Sequence, residues 1–449
     1  MLEPAIEDAE EDIFSRRHTT EIYLRIEREL ALAQGAVGVI PAAAAAEIAQ
    51  RCRIEDVDVE AAWLDAERTG YPIAPLVRQI TGLCGKEAGQ YVHWGATTMD
   101  IMDTALALQL VAALDIVERR LRSVALSLAE IAETHRETIM AGRTFWGHAL
   151  PITFGYKVAT WLAPLLRHLE RIPALRSRAG VAELGGAVGT LASMGDRGLA
   201  VQREFAQRLD LRSGGLAWHT AHDSIAEVVC LWALIAASLA KAARDLSLLS
   251  STELAEAFEP PSGGKDTSST LPQKTNPIYS AQIIACAGVL AQHAALAMQA
   301  MHQSHERSGE GMIEFPLVAD AYRKTLRALD KMQTIADGIS IDVRRMRDNL
   351  ELTQGQIMSE ALMMALGETL GRLEAHDVVH EACRRAAAEG IPLERAALRD
   401  QRIASALGEE GVRRMLDPKS YLGSAHELTD RVVQEARRSA CAGARAELP

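Results

Sequence analysis

Apolar positions recur along this chain at helical spacing almost throughout. Residues Ile22 to Gln34 repeat apolar side chains every three to four positions, and Pro41 to Arg51 opens a second helix. Thr81 to Asp100 breaks the rhythm: Gly82, Gly85, Gly89 and Gly95 punctuate a loop carrying His93-Trp94-Gly95-Ala96-Thr97-Thr98. From Ile101 to about Arg136 the helical period runs on without proline or glycine, which predicts a helix well beyond the usual ~11–12 residues. Two more very long patterns run from His222 to about Leu254 and from Pro277 to about Met301. A shorter one, Ile152 to Ile172, lies between the first and second.

The stretch Val228 to Ile235 is apolar nearly all round, so a helix there must be covered on most sides, by its own bundle or by other subunits. No alternating Val/Ile-rich strand, internal repeat or low-complexity tract stands out beyond the alanine run Ala42–Ala46. After about Arg345 the helices shorten and loops multiply. These features predict an all-α fold of three domains. An N-terminal helical domain spans residues 1–104, a central long-helix bundle 105–346 and a small helical domain 347–449. The central bundle is expected to oligomerise into a larger helical core.

Composition adds constraints. With 449 residues the chain can bury a large core without disulfide or metal staples. A net charge of −12 argues against a nucleic-acid partner, which demands clustered Lys and Arg, but leaves room for a local pocket of donors around an anion. The six scattered cysteines form no C-x-x-C pair and read as thiols of a reducing compartment. No signal peptide is visible after Met1, and the longest uncharged apolar stretch, Val228 to Ala240, is shorter than the ~20 residues of a bilayer span. A cytoplasmic protein with no membrane partner is the expectation.

The chemistry concentrates in Glu259 to Pro277. A Gly/Ser/Thr-rich loop there runs through Thr267, Ser268 and Ser269 into Lys274, Asn276 and a helix opening at Pro277. Hydroxyls, then an ammonium and an amide, then a helix N-terminus are the donors that hold carboxylates and stabilise a developing dianion. An ordinary solvated linker is the alternative for a loop of this composition. His302 and His305 sit three apart, a spacing open to metal, but no carboxylate pattern accompanies them, so no metal site is expected. His148 is open between a site residue and a satisfied core histidine.

The loop resembles the signature of the fumarase/aspartase superfamily, G-S-S-x-M-P-x-K-x-N-P, through Ser268, Ser269, Pro272, Lys274, Asn276 and Pro277, with Thr267 and Leu271 departing from it. His93-Trp94-Gly95-Ala96-Thr97-Thr98-Met99-Asp100 is similar to the family's first region and Gly142-Arg143-Thr144 to the start of its second. Within the superfamily the chain is most similar to the carboxymuconate cycloisomerase branch, through Gly185 to Ala192, Trp218-His219-Thr220, His305 to Ser308 and Asp417 to Gly423. Lyases of the adenylosuccinate type carry histidine directly after G-R-T, where this chain has Phe145.

The resemblance implies an enzyme that moves a proton at a carbon α to a carboxylate, through an aci-carboxylate intermediate. Its expected reaction interconverts 3-carboxy-cis,cis-muconate and its lactone. Ser268 is then the base, Lys274 and Asn276 hold the reacting carboxylate, and His148 is a further catalytic candidate. His93, Thr97, Thr98, Arg143, Thr144, Ser269 and Arg307 would bind the substrate's other groups. No cofactor is required. The implied assembly is a homotetramer acting on a small polycarboxylate, its active sites shared between subunits. Two alternatives remain: a C–N or C–X lyase releasing fumarate or an analogue, which Thr275, Gly147 and Met99 keep open, and a catalytically silent relative.

Overall fold

The computed structural model describes residues 12–261, 271 and 274–446, with side chains through residue 439. The helices in chain order are α1 (Arg16–Val37), α2 (Ala42–Arg51), α3 (Val59–Thr69), α4 (Ile73–Leu83), α5 (Thr98–Thr134), α6 (Phe154–Ala179), α7 (Gly198–Arg208) and α8 (Asp223–Leu249). They continue with α9 (Ile278–Ala300), α10 (Glu314–Gly338), α11 (Val343–Leu350), α12 (Ser359–Leu370), α13 (Arg372–Glu389), α14 (Leu393–Leu398), α15 (Gln401–Met415) and α16 (Ala425–Ala446). The fold is all-α, as the periodicity predicts. The expected long helices are α5, α6, α8 and α9, with ends shifted by a few residues. A fifth, α10, was not singled out from sequence: Asp320, Arg323, Lys324, Arg327 and Asp330 break its apolar run, so it is amphipathic rather than apolar all round.

By internal contacts the chain forms two compact units, and segments of the five long helices belong to both. Unit 1 comprises Met1–Arg120, His168–Ala237 and Cys286–Ala328; unit 2 comprises Leu121–Arg167, Ser238–Ala285 and Leu329–Pro449. The three consecutive blocks drawn from the sequence divide the chain by element length, which is a different criterion.

In unit 1, α1 starts at Ser15, whose hydroxyl accepts from the His18 amide, and stops at Gly38 in the left-handed conformation (φ 81°). Its buried face, with Tyr23, Leu24, Ile26 and Leu30, shares one core with Ile48, Ile73, Leu76, Ile80 and Phe205. In unit 2, α12 to α15 close their own core around Leu362, Leu366, Val378, Leu393, Ile403 and Val412.

The sequence gives no strand signal, yet unit 2 contains an antiparallel hairpin of β1 (Ile139–Thr144) and β2 (Gly147–Thr153). Its physical reason is burial: Met140, Ala141 and Gly142 are covered consecutively, so no alternation of apolar and polar residues develops. Ala141 packs in a small cluster with Leu350, Ile357, Met358 and Ala361. Two further two-stranded sheets are minimal: β3 (Val181–Ala182) beside β4 (Arg212–Ser213), and β5 (Ala257–Phe258) beside β6 (Ser340–Ile341).

Among the described residues two helices, α8 and α9, are long and apolar enough to cross a membrane by length and composition alone. The most apolar stretch of α8 is 56% buried within the chain, whereas that of α9 is only 22% buried.

Candidate functional site

In unit 1 the first motif is a turn wrapped around one carboxylate. His93 (φ 57°) and Gly95 (φ 71°) reverse the chain just before α5. Asp100, in the first turn of α5 and fully buried, accepts the Thr97 amide on Oδ2 at 2.8 Å. That is the T-x-x-D half of a capping box, and it fixes Thr97 and Thr98 at the positive end of α5. The same carboxylate accepts the amides of Gly185 (2.8 Å) and Gly186 (3.0 Å) and faces His219 Nε2 (2.9 Å). Gly185 is required here, because a Cβ would stand 2.6 Å from Ala217 Cβ and 2.8 Å from Gly189 Cα. Arg307 donates to the Ala187 carbonyl of the same glycine loop at 3.4 Å. Thus unit 1 gathers the expected residues Thr97, Thr98 and Arg307 around residues 185–187.

His93 Nδ1 lies 2.6 Å from Oε1 of the buried Glu27. Burial alone would lower its pKa, but the charge and hydrogen bond of Glu27, with Asp100 behind it, hold it above the ordinary imidazole value.

Behind this strip lies a buried cluster that sequence reasoning missed. Burial pushes the Glu183 carboxyl up to about 8, against the pull of His219 and the Trp218 amide. For His222, burial lowers the pKa, but the nearby carboxylate of Asp103 and the hydrogen-bonded Glu314 overcome it and lift the imidazole to about 10. Asp103 Oδ2 is 3.8 Å from His222 Nε2, and Glu314 contacts Nδ1. Asp100, Glu183 and His219 offer ligand atoms within 4.8 Å of one another. Because Asp100 already accepts three backbone amides and faces the His219 ring, we read the set as a hydrogen-bonded brace.

In unit 2 the second motif forms the tip and sides of the β1–β2 hairpin. Arg143 makes a fork-to-fork pair with Glu256, at 2.6 and 2.9 Å. Glu256 is fully buried and also accepts from Asn349 Nδ2 at 2.8 Å. Arg143 was expected to bind substrate; within the described residues both terminal nitrogens bond Glu256 and clamp the hairpin, while its buried Nε has no partner. Thr144 pairs with Gly147 across a two-residue turn. That turn consists of Phe145 (φ 46°) and Trp146 (φ 72°), both fully or largely exposed.

His148 stands opposite Arg143 in the hairpin register. Burial first, then the Arg143 charge, lowers its pKa, against Glu256. Its Nδ1 is buried with no partner among the described residues. Burial and the Arg143 charge both favour the neutral imidazole over the charged one. Lys157, half-buried, is another group the sequence reading passed over: burial lowers its pKa, with Arg143 and Lys241 adding to that and Asp245 and Glu256 opposing.

Ser268 and Ser269 lie outside the described residues. Lys274 is exposed, and Asn276 helps line a cavity of about 260 Å³ with Thr275, Tyr279 and Phe258. The expected helix N-terminus is not free for an anion: Glu259 accepts the amides of Tyr279 (2.9 Å) and Ser280 (2.6 Å) in the first turn of α9. A carboxylate of the protein itself satisfies that helix end.

Long helices, a serine-rich loop ahead of Lys274 and Asn276, and three ordered polar strips are the frame of enzymes that add or eliminate groups next to carboxylates. The chain belongs to the fumarase/aspartase superfamily: residues 6–291 match the Lyase family model and residues 355–432 the adenylosuccinate lyase C-terminus. It is 41% identical to trans-aconitate decarboxylase 1 of Mycosarcoma maydis, over 94% of this chain and 86% of that protein. It is 40% identical to 3-carboxy-cis,cis-muconate cycloisomerase of Bradyrhizobium diazoefficiens, over 94% of each. Identity to N-acetyl-S-(2-succino)cysteine lyase of Dickeya dadantii is 35%, over 94% and 93%. Among solved structures, the 3-carboxy-cis,cis-muconate lactonizing enzyme of Pseudomonas putida superposes with a TM-score of 0.89 at 38% identity, covering 95% and 96%.

Proposed function

We propose that this enzyme interconverts 3-carboxy-cis,cis-muconate and its lactone. In the lactonising direction a substrate carboxylate oxygen bonds to the carbon β to another carboxylate. The displaced π pair moves into that second carboxylate as an aci-carboxylate dianion, and a proton then adds at the α carbon. Ser268, by family resemblance, carries that proton, while Lys274 and Asn276 stabilise the dianion. Thr97, Thr98 and Arg307 take the remaining carboxylates. The small-polycarboxylate substrate and the homotetramer with shared sites belong to this reading, and the uncovered apolar surface of α9 supports the assembly.

The observation that carries the choice is the absence of an acid in the hairpin strip. Phe145 cannot donate a proton, and burial and the Arg143 charge disfavour a protonated His148. A carboxylate leaving group departs without protonation; a nitrogen does not. Carbon dioxide also departs without an acid, and the likeness to trans-aconitate decarboxylase favours decarboxylation of a tricarboxylate as the second reading. The test runs 3-carboxy-cis,cis-muconate, trans-aconitate and S-succinocysteine in parallel, following ultraviolet absorbance, released carbon dioxide and free thiol. Lactonisation alone is expected. Carbon dioxide from trans-aconitate without lactonisation selects the second reading, and efficient thiol release defeats both.

A further inference from the structure

Unit 1 contains a cavity of about 280 Å³ that the reading above leaves without a role. Its size lies at the small end of ligand pockets, typically ~300–1,000 Å³. Its lining includes the apolar residues Leu110, Val181 and Ile225. It also includes three residues that carry donors, Arg178, Arg212 and Trp218. Arg178 gives one edge of its fork to Glu227, with Nε to Oε2 at 2.8 Å. Arg212 holds the Ser177 carbonyl through Nη1 at 3.0 Å. Neither interaction uses the whole planar set of five N–H groups.

Trp218 Nε1 is buried and has no acceptor among the described residues. Buried donors are nearly always satisfied, so one without a partner beside a cavity asks for an oxygen from outside the chain. The first turn of α8, which also lines the cavity, adds amides that have no acceptor within their own helix. Asp223 is the single acidic side chain among the described lining residues. A bare inorganic anion would leave Leu110, Val181 and Ile225 against water. A purely apolar ligand would leave the indole and guanidinium groups unpaired.

We propose that this cavity binds a small aromatic carboxylate. The carboxylate is received by Arg212 and Trp218 Nε1, and the ring lies on Leu110, Val181 and Ile225. The probe is benzoate, titrated into the full-length protein by calorimetry and by saturation-transfer NMR. The expected result is saturable binding that weakens at least about tenfold in Arg212→Gln and in Trp218→Phe, the loss appropriate to a charge-assisted or buried hydrogen bond. Lys274→Ala should bind benzoate as the parent protein does.

Arg212 is exposed, so its substitution leaves the fold intact and decides the question even where Trp218→Phe folds poorly. Absence of saturable binding overturns the proposal, as does affinity unchanged in both cavity variants. Loss of binding in Lys274→Ala with none in Arg212→Gln places benzoate in the substrate site instead. Sulfate binding as tightly as benzoate, in competition with it, reduces the cavity to a bare anion site and also refutes the aromatic class.

Discussion

The Arg143–Glu256–Asn349 clamp makes a sharp prediction about the hairpin that carries His148. Glu256 is fully buried and the Arg143 side chain is 14% exposed, so solvent screens the pair little. Glu256→Ala leaves a guanidinium facing a low-dielectric interior and frees the Asn349 amide. Breaking a buried pair from one side costs about 3–5 kcal/mol. If that loss falls on local opening of β1–β2, amide exchange there accelerates by roughly two to nearly four orders of magnitude. The assay is hydrogen exchange by mass spectrometry, comparing peptides from residues 139–153 with those from α12 to α15. Arg143→Met combined with Glu256→Leu removes both charges, and should return most of the protection because no ion is stranded. Unchanged hairpin exchange in Glu256→Ala would refute the clamp. Equal acceleration through α12 to α15 would show instead a global loss in unit 2, and a double variant as labile as the single one would mean that packing, not charge, governs this site.

Three further outcomes are expected. Glu183 has its folded pKa raised from 4.5 to about 8, so it contributes stability that is complete below about 4.5 and is lost as pH rises through 8. Melting temperatures of the parent should therefore fall more between pH 6 and 9 than those of Glu183→Gln, and parallel curves would remove Glu183 from the balance. Ser268→Ala should reduce kcat by at least roughly 10²-fold with an unchanged melting temperature, and near-normal turnover would take Ser268 out of the mechanism. Mixing inactive Ser268→Ala and Arg307→Ala chains should restore part of the activity if sites draw on several subunits; a fully active monomer would exclude that assembly.

Legibility in this sequence follows how local the cause is. Helices α5, α8 and α9 declare themselves because one apolar period persists over many turns, and Thr97-x-x-Asp100 ahead of an apolar run is a readable capping signal. Arg143 was legible as a motif residue but not as a clamp, since Glu256 lies 113 residues away and carries no local signature. His222 likewise gains its meaning only from Asp103 on α5 and Glu314 at the start of α10. Glu259 looked like part of a solvated loop until its carboxylate was seen closing the first turn of α9. Pattern reveals elements; partners distant in sequence decide what each charged group is for.

Those distant partners also explain how one frame accommodates relatives named for decarboxylation, lactonisation and thioether cleavage. Each reaction places electrons on a carbon beside a carboxylate, and donors around that carboxylate serve all three. What must differ is the handling of the departing group, and in this chain Phe145, in the hairpin turn, stands where the lyase pattern has histidine. The turn's two central residues have φ above zero, where Asn-Gly is the favoured pair and a bulky residue costs on the order of 1–3 kcal/mol. Stability of the hairpin alone would select against Phe145 and Trp146, and neither ring gains burial within the chain in return. The Arg143–Glu256 pair lies just behind the turn, where Arg143 stands opposite His148 in the hairpin, and beyond it the rings project. On the proposed reading those rings meet the substrate or a neighbouring subunit, and their apolar faces supply shape where a histidine-bearing lyase supplies a proton.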